Sequence, residues 1–195
     1  MRRPRVTARK FFKAWCENTK RRQNELLKAW DLSKVYTKKI VGHHDSIIAE
    51  VGCSLKLSCY PKDYYSIDAI LYADEDIVEG LSNDILWFKG ARVAFEHENA
   101  FNFNLFQEVA HLLLINCELR VLVVYPTYKD ERNDEVFGYL NEIINSTRDS
   151  RTIASNESFL IIQGFKDGKE LSWKGITFKE GYWKELRFNK TKNLG

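Results

Sequence analysis

"RVAFEHEN", residues 92–99, is the stretch on which the reading of the fold turns. Val93, Ala94 and Phe95 form the apolar run of a buried strand, yet the run continues into two glutamates separated by one histidine. In a strand, side chains alternate between faces and each residue advances about 3.3 Å. Glu96 and Glu98 therefore point the same way, about 7 Å apart, while Phe95 and His97 point to the other face. Such a strand leaves the core at a polar site.

Two β-rich runs precede it, "LKLSCY" (55–60) and "YSIDAILYA" (65–73). Turn signals separate the three runs: Pro61-Lys62-Asp63, then the polar stretch from Asp74 to Asn83. They read as a three-stranded meander. In the second run Ser66, Asp68, Ile70 and Tyr72 share a face, so Asp68 can meet Glu96 across the ladder. Downstream, "FNFNLFQEVAHLLLINCEL" (101–119) predicts an apolar helix. "RVLVVYP" (120–126) has the continuous apolar character of a strand buried on both faces. A polar helix at about Glu131–Thr147, a strand at "SFLIIQGF" (158–165), a turn at Lys166–Lys169 and a strand at "WKGITF" (173–178) complete the chain.

Upstream, residues 7–31 predict one or two amphipathic helices, with Phe11, Phe12, Trp15, Leu26, Leu27 and Trp30 set among basic residues. A further helix runs from Ser33 toward Val51, bent at "VGHHD" (41–45), where Asp45 can cap a fresh start; Glu50 lies near its end. The order αβββαβ followed by a helix and extra strands predicts an α/β fold, a central mixed sheet flanked by helices. A basic helical arm, residues 1–44, is expected to pack on an α/β domain of residues 45–195.

A chain of 195 residues suffices for one domain with its own core, and 44% hydrophobic and 13% aromatic residues exclude a disordered chain. No apolar run approaches the roughly 20 residues needed to span a bilayer, and the N-terminus lacks a secretory apolar segment. No membrane partner and a cytoplasmic location are expected. The four cysteines form no CxxC pair and read as reduced thiols; His43 and His44 lack partners at ligand spacing. The net charge of +3 hides an asymmetry: residues 1–44 hold 13 Lys+Arg against 3 Asp+Glu, a balance of +10, and the remainder carries −7. Arg9, Lys10, Lys13, Lys20, Arg21 and Arg22, beside Phe11, Phe12 and Trp15, suit a nucleic-acid contact of charge and stacking. The same rings equally suit a buried face, docked on the body or on a second copy in a homodimer.

Asp68, Glu96 and Glu98 bring three carboxylates together, and their mutual repulsion in a partly buried site needs protons or a hard cation. Mg²⁺, or Mn²⁺, is the natural occupant: it takes carboxylates and water and leaves positions for phosphate oxygens. That chemistry points to phosphodiester hydrolysis. On the following helix Asn104, Gln107, Glu108 and His111 form one stripe opposite Phe106, Val109 and Leu113. Gln107 or His111 can face the acids and touch phosphate or water.

With "IDAILY", "VAFEHEN", the apolar helix and "RVLVVYP" in this order, the sequence resembles the PD-(D/E)xK, or restriction-endonuclease-like, nuclease superfamily over about Asp45–Pro126. The resemblance implies an αβββαβ core and a Mg²⁺-dependent nuclease acting on DNA more than RNA. It makes Asp68 the motif Asp and Glu96 the motif acid, and places Glu98 where a Lys is usual, an ExE form found in some type II restriction enzymes. Glu50 resembles the extra acid that some members bring to the metal. Loss of the Lys elsewhere accompanies loss of activity, so an inactive module that binds nucleic acid or protein is the alternative.

Overall fold

The computed structural model describes residues 4–81, 86–127 and 132–187; Asn83 and Glu131, named above, lie outside them. Helix α1 (Ala8–Arg21) starts where Thr7, in extended backbone, accepts a hydrogen bond from the Lys10 amide. Its inward stripe is Phe11, Phe12, Ala14 and Trp15. Three short helices follow: α2 (Gln23–Ala29), α3 (Ser33–Ile40) and α4 (Ile47–Ser54). The start of α4 falls at Ser46 rather than at Asp45, and the Ser46 hydroxyl donates to the His43 carbonyl instead of capping the helix.

Next come strands β1 (Ser58–Tyr60), β2 (Ala69–Tyr72) and β3 (Ala91–Glu98), an antiparallel meander. Helix α5 (Leu105–Leu114), strand β4 (Cys117–Val124), helices α6 (Arg132–Asn145) and α7 (Ser150–Ser155), and strands β5 (Phe159–Asp167), β6 (Glu170–Lys179) and β7 (Tyr182–Glu185) complete the order. The seven strands among the described residues form one mixed sheet in chain order. The β3–β4 and β4–β5 pairs are parallel and the other pairs antiparallel. The expected α/β architecture, a mixed sheet flanked by helices, is the one observed.

The two faces of the sheet explain the unbroken apolar runs of its central strands. Val93, Phe95, Val121, Val123, Leu160 and Ile162 pack with α1–α4. Ala94, Leu122, Val124, Phe159 and Ile161 pack with α5–α7. Strands covered on both sides cannot alternate apolar with polar. The arm is accordingly one of the two covering layers: Phe11, Phe12, Trp15 and Leu26 share a hydrophobic cluster with the sheet, and residues 44 and 45 lie within that layer. Phe12 approaches β6 so closely that a Cβ at Gly175 would lie 2.7 Å from its ring. Only glycine fits there.

On α5 the buried stripe is Leu105, Val109 and Leu112, whereas Phe106 is 41% exposed. The predicted stripe through Phe106 and Leu113 is rotated by one position. Apolar residues at 105, 106, 109, 112, 113 and 114 satisfy either stripe, and the start of the helix decides: the Asn102 side chain takes the Asn104 amide, so helix begins at Leu105. At the other end, buried Arg120 of β4 donates through Nε to the Leu112 carbonyl at 2.8 Å and through Nη2 to the Ile115 carbonyl at 3.1 Å. Helix ends leave their last carbonyls unpaired, and a cation satisfies them well. Arg120→Ala is expected to cost about 3 kcal/mol, read as a lower urea midpoint at unchanged slope. No helix among the described residues is long and apolar enough to cross a membrane.

Candidate metal centre

The register of β2 against β3, with Ala69 opposite Phe95, sets Asp68 opposite Glu96 at the point where β2 begins. Asp68 Oδ2 accepts the His97 amide at 2.9 Å, which pins its carboxylate to the neighbouring strand. Its acidity is weakened by burial, against the opposing effects of that amide and of a hydrogen bond with the Glu96 side chain. Glu96 is only 3% exposed, and its pKa is pushed up to about 10, first by burial and then by the charges of Asp68 and Glu108. Without a cation, Glu96 is therefore the neutral partner that donates to Asp68 at neutral pH. Glu96 Oε1 is buried with no hydrogen-bond partner. Glu98, half-buried at the end of the strand, is also raised, by burial and then by Glu108 and Asp68.

Helix α5 supplies the rest. After β3 the chain reverses and α5 packs back along β3 and β4. Glu108 and His111, three residues apart, lie on one side of a helix and flank the buried stripe. His111 Nδ1 stands 3.6 Å from Glu108 Oε2, beyond hydrogen-bond length, and is likewise buried without a partner. One ligand atom from each of Glu96, Glu108 and His111 lies within 4.8 Å of the others. Among the described residues this is the one such grouping of acids, histidines and cysteines. Among the described residues, the charges that shift Asp68, Glu96 and Glu98 are the carboxylates of Asp63, Asp68 and Glu108, and the basic group of the cluster is His111.

The structure thus brings together Asp68, Glu96, Glu98 and His111, and adds Glu108, which the sequence reading set on the right stripe without singling it out. Its i, i+3 spacing to His111, on a helix returning beside the acid-bearing strand, was the available signal. Gln107 is exposed and turned away from the buried stripe. Glu50 is also not part of the cluster. It lies on α4, which covers the opposite face, and its carboxylate is held by Arg21 at 2.7 Å and by Arg22 at 3.4 Å.

The proposed nucleic-acid-binding residues of α1 and its end sit differently from the expectation. Phe11, Phe12 and Trp15 are inside the core and offer no stacking surface. Arg21 and Arg22 engage Glu50, and Arg22 also engages Glu25. Arg9 donates to the Arg187 carbonyl and Lys13 pairs with Glu17, while Lys10 and Lys20 are exposed. His97 faces the helical layer of α1–α4. Its Nε2 lies 2.9 Å from the Tyr125 hydroxyl, and burial pushes its pKa down to about 3, so the ring is neutral. A cleft of about 380 Å³, lined by Asn99, Asn102, Phe103, Tyr125 and Thr127, begins at the residue that follows β3, and the clustered acids do not line it. No family model, curated protein or solved structure matches the chain.

Proposed function

We propose that the chain is a divalent-cation-dependent phosphodiester hydrolase, a nuclease for which DNA is the first substrate to test. One observation carries the reading. A carboxylate oxygen of Glu96, buried and without a hydrogen-bond partner, lies among other acids, and the charges of Asp68 and Glu108 add to burial in raising its pKa. Several like charges in a desolvated site are tolerated when a cation or shared protons compensate. The donor set fits a divalent ion, with carboxylate oxygens from β3 and α5 and one imidazole nitrogen. Bound there, such an ion supplies charge neutralisation and acidifies water.

The chain's own groups divide the remaining work. The His97 amide fixes Asp68 and so sets the edge of the site. Glu98, at the mouth and less acidic than a free carboxylate, is the group placed to take a proton from an attacking water. The cleft that begins at Asn99, next in the chain to Glu98, gives a substrate room. The order αβββαβ and the Asp68…Glu96-x-Glu98 pattern support the resemblance to the PD-(D/E)xK nucleases as part of this reading. A cytoplasmic setting belongs to it too, in keeping with four free cysteines, of which Cys16 and Cys59 are driven to a pKa of about 12, chiefly by burial. The reverse reading, binding without cleavage through α1, keeps the surface charge but loses the rings.

The test is plasmid nicking in Mg²⁺ and in Mn²⁺. Asp68→Ala, Glu96→Ala and Glu98→Ala are each expected to lose about 100-fold or more, the scale of a proton-transfer or charge-stabilising group, while Lys10→Ala retains activity. Equal nicking by wild type, Asp68→Ala and Glu96→Ala would move the activity elsewhere, and no cleavage in either ion would end the nuclease reading.

A further inference from the structure

We infer that the position between β3 and α5 takes a first-row transition ion of the Mn²⁺-to-Zn²⁺ series in preference to Mg²⁺, with His111 supplying a nitrogen ligand beside Glu96 and Glu108. The inference rests on the reading of this cluster as a cation site, and it does not require that the chain hydrolyse anything.

Two unpartnered buried atoms carry it. Glu96 Oε1, on a residue 97% buried, and His111 Nδ1 each lack a hydrogen-bond partner. Both residues belong to the group whose ligand atoms lie within 4.8 Å of one another, with Glu108 as the third. A buried polar atom without a partner costs on the order of 1–3 kcal/mol, and here two such atoms belong to residues of one ligand group. Glu108 does not supply a partner to the imidazole, since its Oε2 stands 3.6 Å from His111 Nδ1, beyond hydrogen-bond length. A divalent ion with bonds of about 2.0–2.2 Å to nitrogen and oxygen satisfies all three groups by drawing them in from separations of up to 4.8 Å.

The donor chemistry then chooses the ion. Mg²⁺ and Ca²⁺ take oxygen ligands, and an imidazole is a poor match for either. Imidazole suits Zn²⁺, Cu²⁺, Fe²⁺ and Ni²⁺, and mixed carboxylate and imidazole sites follow the order that rises from Mn²⁺ toward the end of the row. His111 lies on an exposed side of α5 with its ring 38% exposed, so an ion held there can be reached from solvent. The helix places the two α5 ligands at i and i+3, as a rigid pair against the fixed edge of β3.

The measurement is metal binding to the full chain in the absence of nucleic acid, by calorimetry with Mg²⁺, Mn²⁺ and Zn²⁺ added as chloride salts. Wild type is expected to bind Zn²⁺ at least about 100-fold and Mn²⁺ at least about tenfold more tightly than Mg²⁺. His111→Ala should weaken Zn²⁺ by more than about tenfold and change Mg²⁺ by less than threefold. Pulsed electron paramagnetic resonance of the Mn²⁺ complex should show coupling to a nitrogen nucleus that His111→Ala removes. His111→Gln and the exposed Phe106→Ala serve as folded controls on the same helix, the second binding as wild type does. Tight Zn²⁺ binding that is indifferent to both His111 variants, or Mg²⁺ bound as tightly as Zn²⁺, overturns the inference and leaves the cation site standing. No binding of any of the three ions overturns both. Nicking activity does not enter the result.

Discussion

At pH 8 and without divalent ions, Glu96→Gln should melt above the wild-type chain by about 5 °C or more. Glu96 is buried among carboxylates and holds its proton to about pH 10, against an unfolded value near 4.5. Between those values the folded chain binds a proton that the unfolded chain has released, so stability falls as pH rises across that window and levels off above it. Below about pH 4.5 both states are protonated and the penalty vanishes. Glutamine has the same shape, cannot ionise, and can donate to Asp68 as the protonated glutamate does. Relief of a few kcal/mol, the cost of keeping a proton at pH 8 on a group whose unfolded value is near 4.5, corresponds to roughly 2–4 °C per kcal/mol at this chain length.

The same substitution removes a ligand. Wild type should therefore gain melting temperature on addition of Mn²⁺ or Zn²⁺, by mass action on the folded state, whereas Glu96→Gln should gain little. The crossing of the two, variant above wild type in chelator and below it in saturating metal, is the signature of a site that gives up stability for binding. Melting curves at pH 4.5, 7 and 9, with and without metal, measure it. A variant that melts with wild type at every pH, metal or no metal, would show that Glu96 neither holds its proton above the usual carboxylate range nor binds metal.

Opposite behaviour is expected from His97 one residue away, because its side chain is on the other face. Burial holds its pKa at about 3, so the folded chain refuses a proton that the unfolded chain accepts. That contribution to stability is complete above about pH 6.5 and is lost as pH falls toward 3. The alkaline slope thus belongs to the acid face of β3 and part of the acid slope to its aromatic face.

Alternation along "RVAFEHEN" made this division legible in the sequence, and it put Asp68 on the face of Glu96; a period of two fixes the face but not the register, which the structure supplies with Ala69 opposite Phe95. The helix was less legible. The large apolar residues of "LFQEVAHLLL" admit two stripes, and an amide held by Asn102, outside the apolar pattern, selects one. With the stripe uncertain, Glu108 and Gln107 could not be told apart. Glu50 was misjudged for a different reason. Its partners Arg21 and Arg22 lie 29 and 28 positions away, and charge pairing at that separation leaves no periodic trace. The arm misled through composition: rings interleaved with lysine and arginine describe a stacking surface and an amphipathic core helix equally well, and only the covered face of the sheet distinguishes them.

Trp15 gives that distinction its sharpest measurement. Its ring is fully buried, 5.9 Å from Phe95 and edge-on to Trp173 at 5.2 Å, so α1 is held against β3 and β6 through one side chain. Trp15→Ala is expected to cost about 3–5 kcal/mol, the range for emptying a large aromatic site, read as a lower urea midpoint. Trp15→Phe should cost far less, since the indole N–H it removes has no acceptor in the core. Deletion of residues 1–31 takes away Phe11, Phe12, Trp15 and Leu26 together and bares the sheet face carrying Val93, Phe95 and Val121. The truncated chain should then be insoluble, or compact without near-ultraviolet circular dichroism. A DNA-binding arm predicts the contrary, a truncated chain that unfolds cooperatively and has lost only its affinity for DNA. Lys10→Ala and Lys20→Ala complete the comparison. On a helix whose inner side is core and whose outer side is solvated, both should melt within about 0.5 kcal/mol of wild type, because their side chains lie on the outer side while Phe11 and Trp15 fill the inner one.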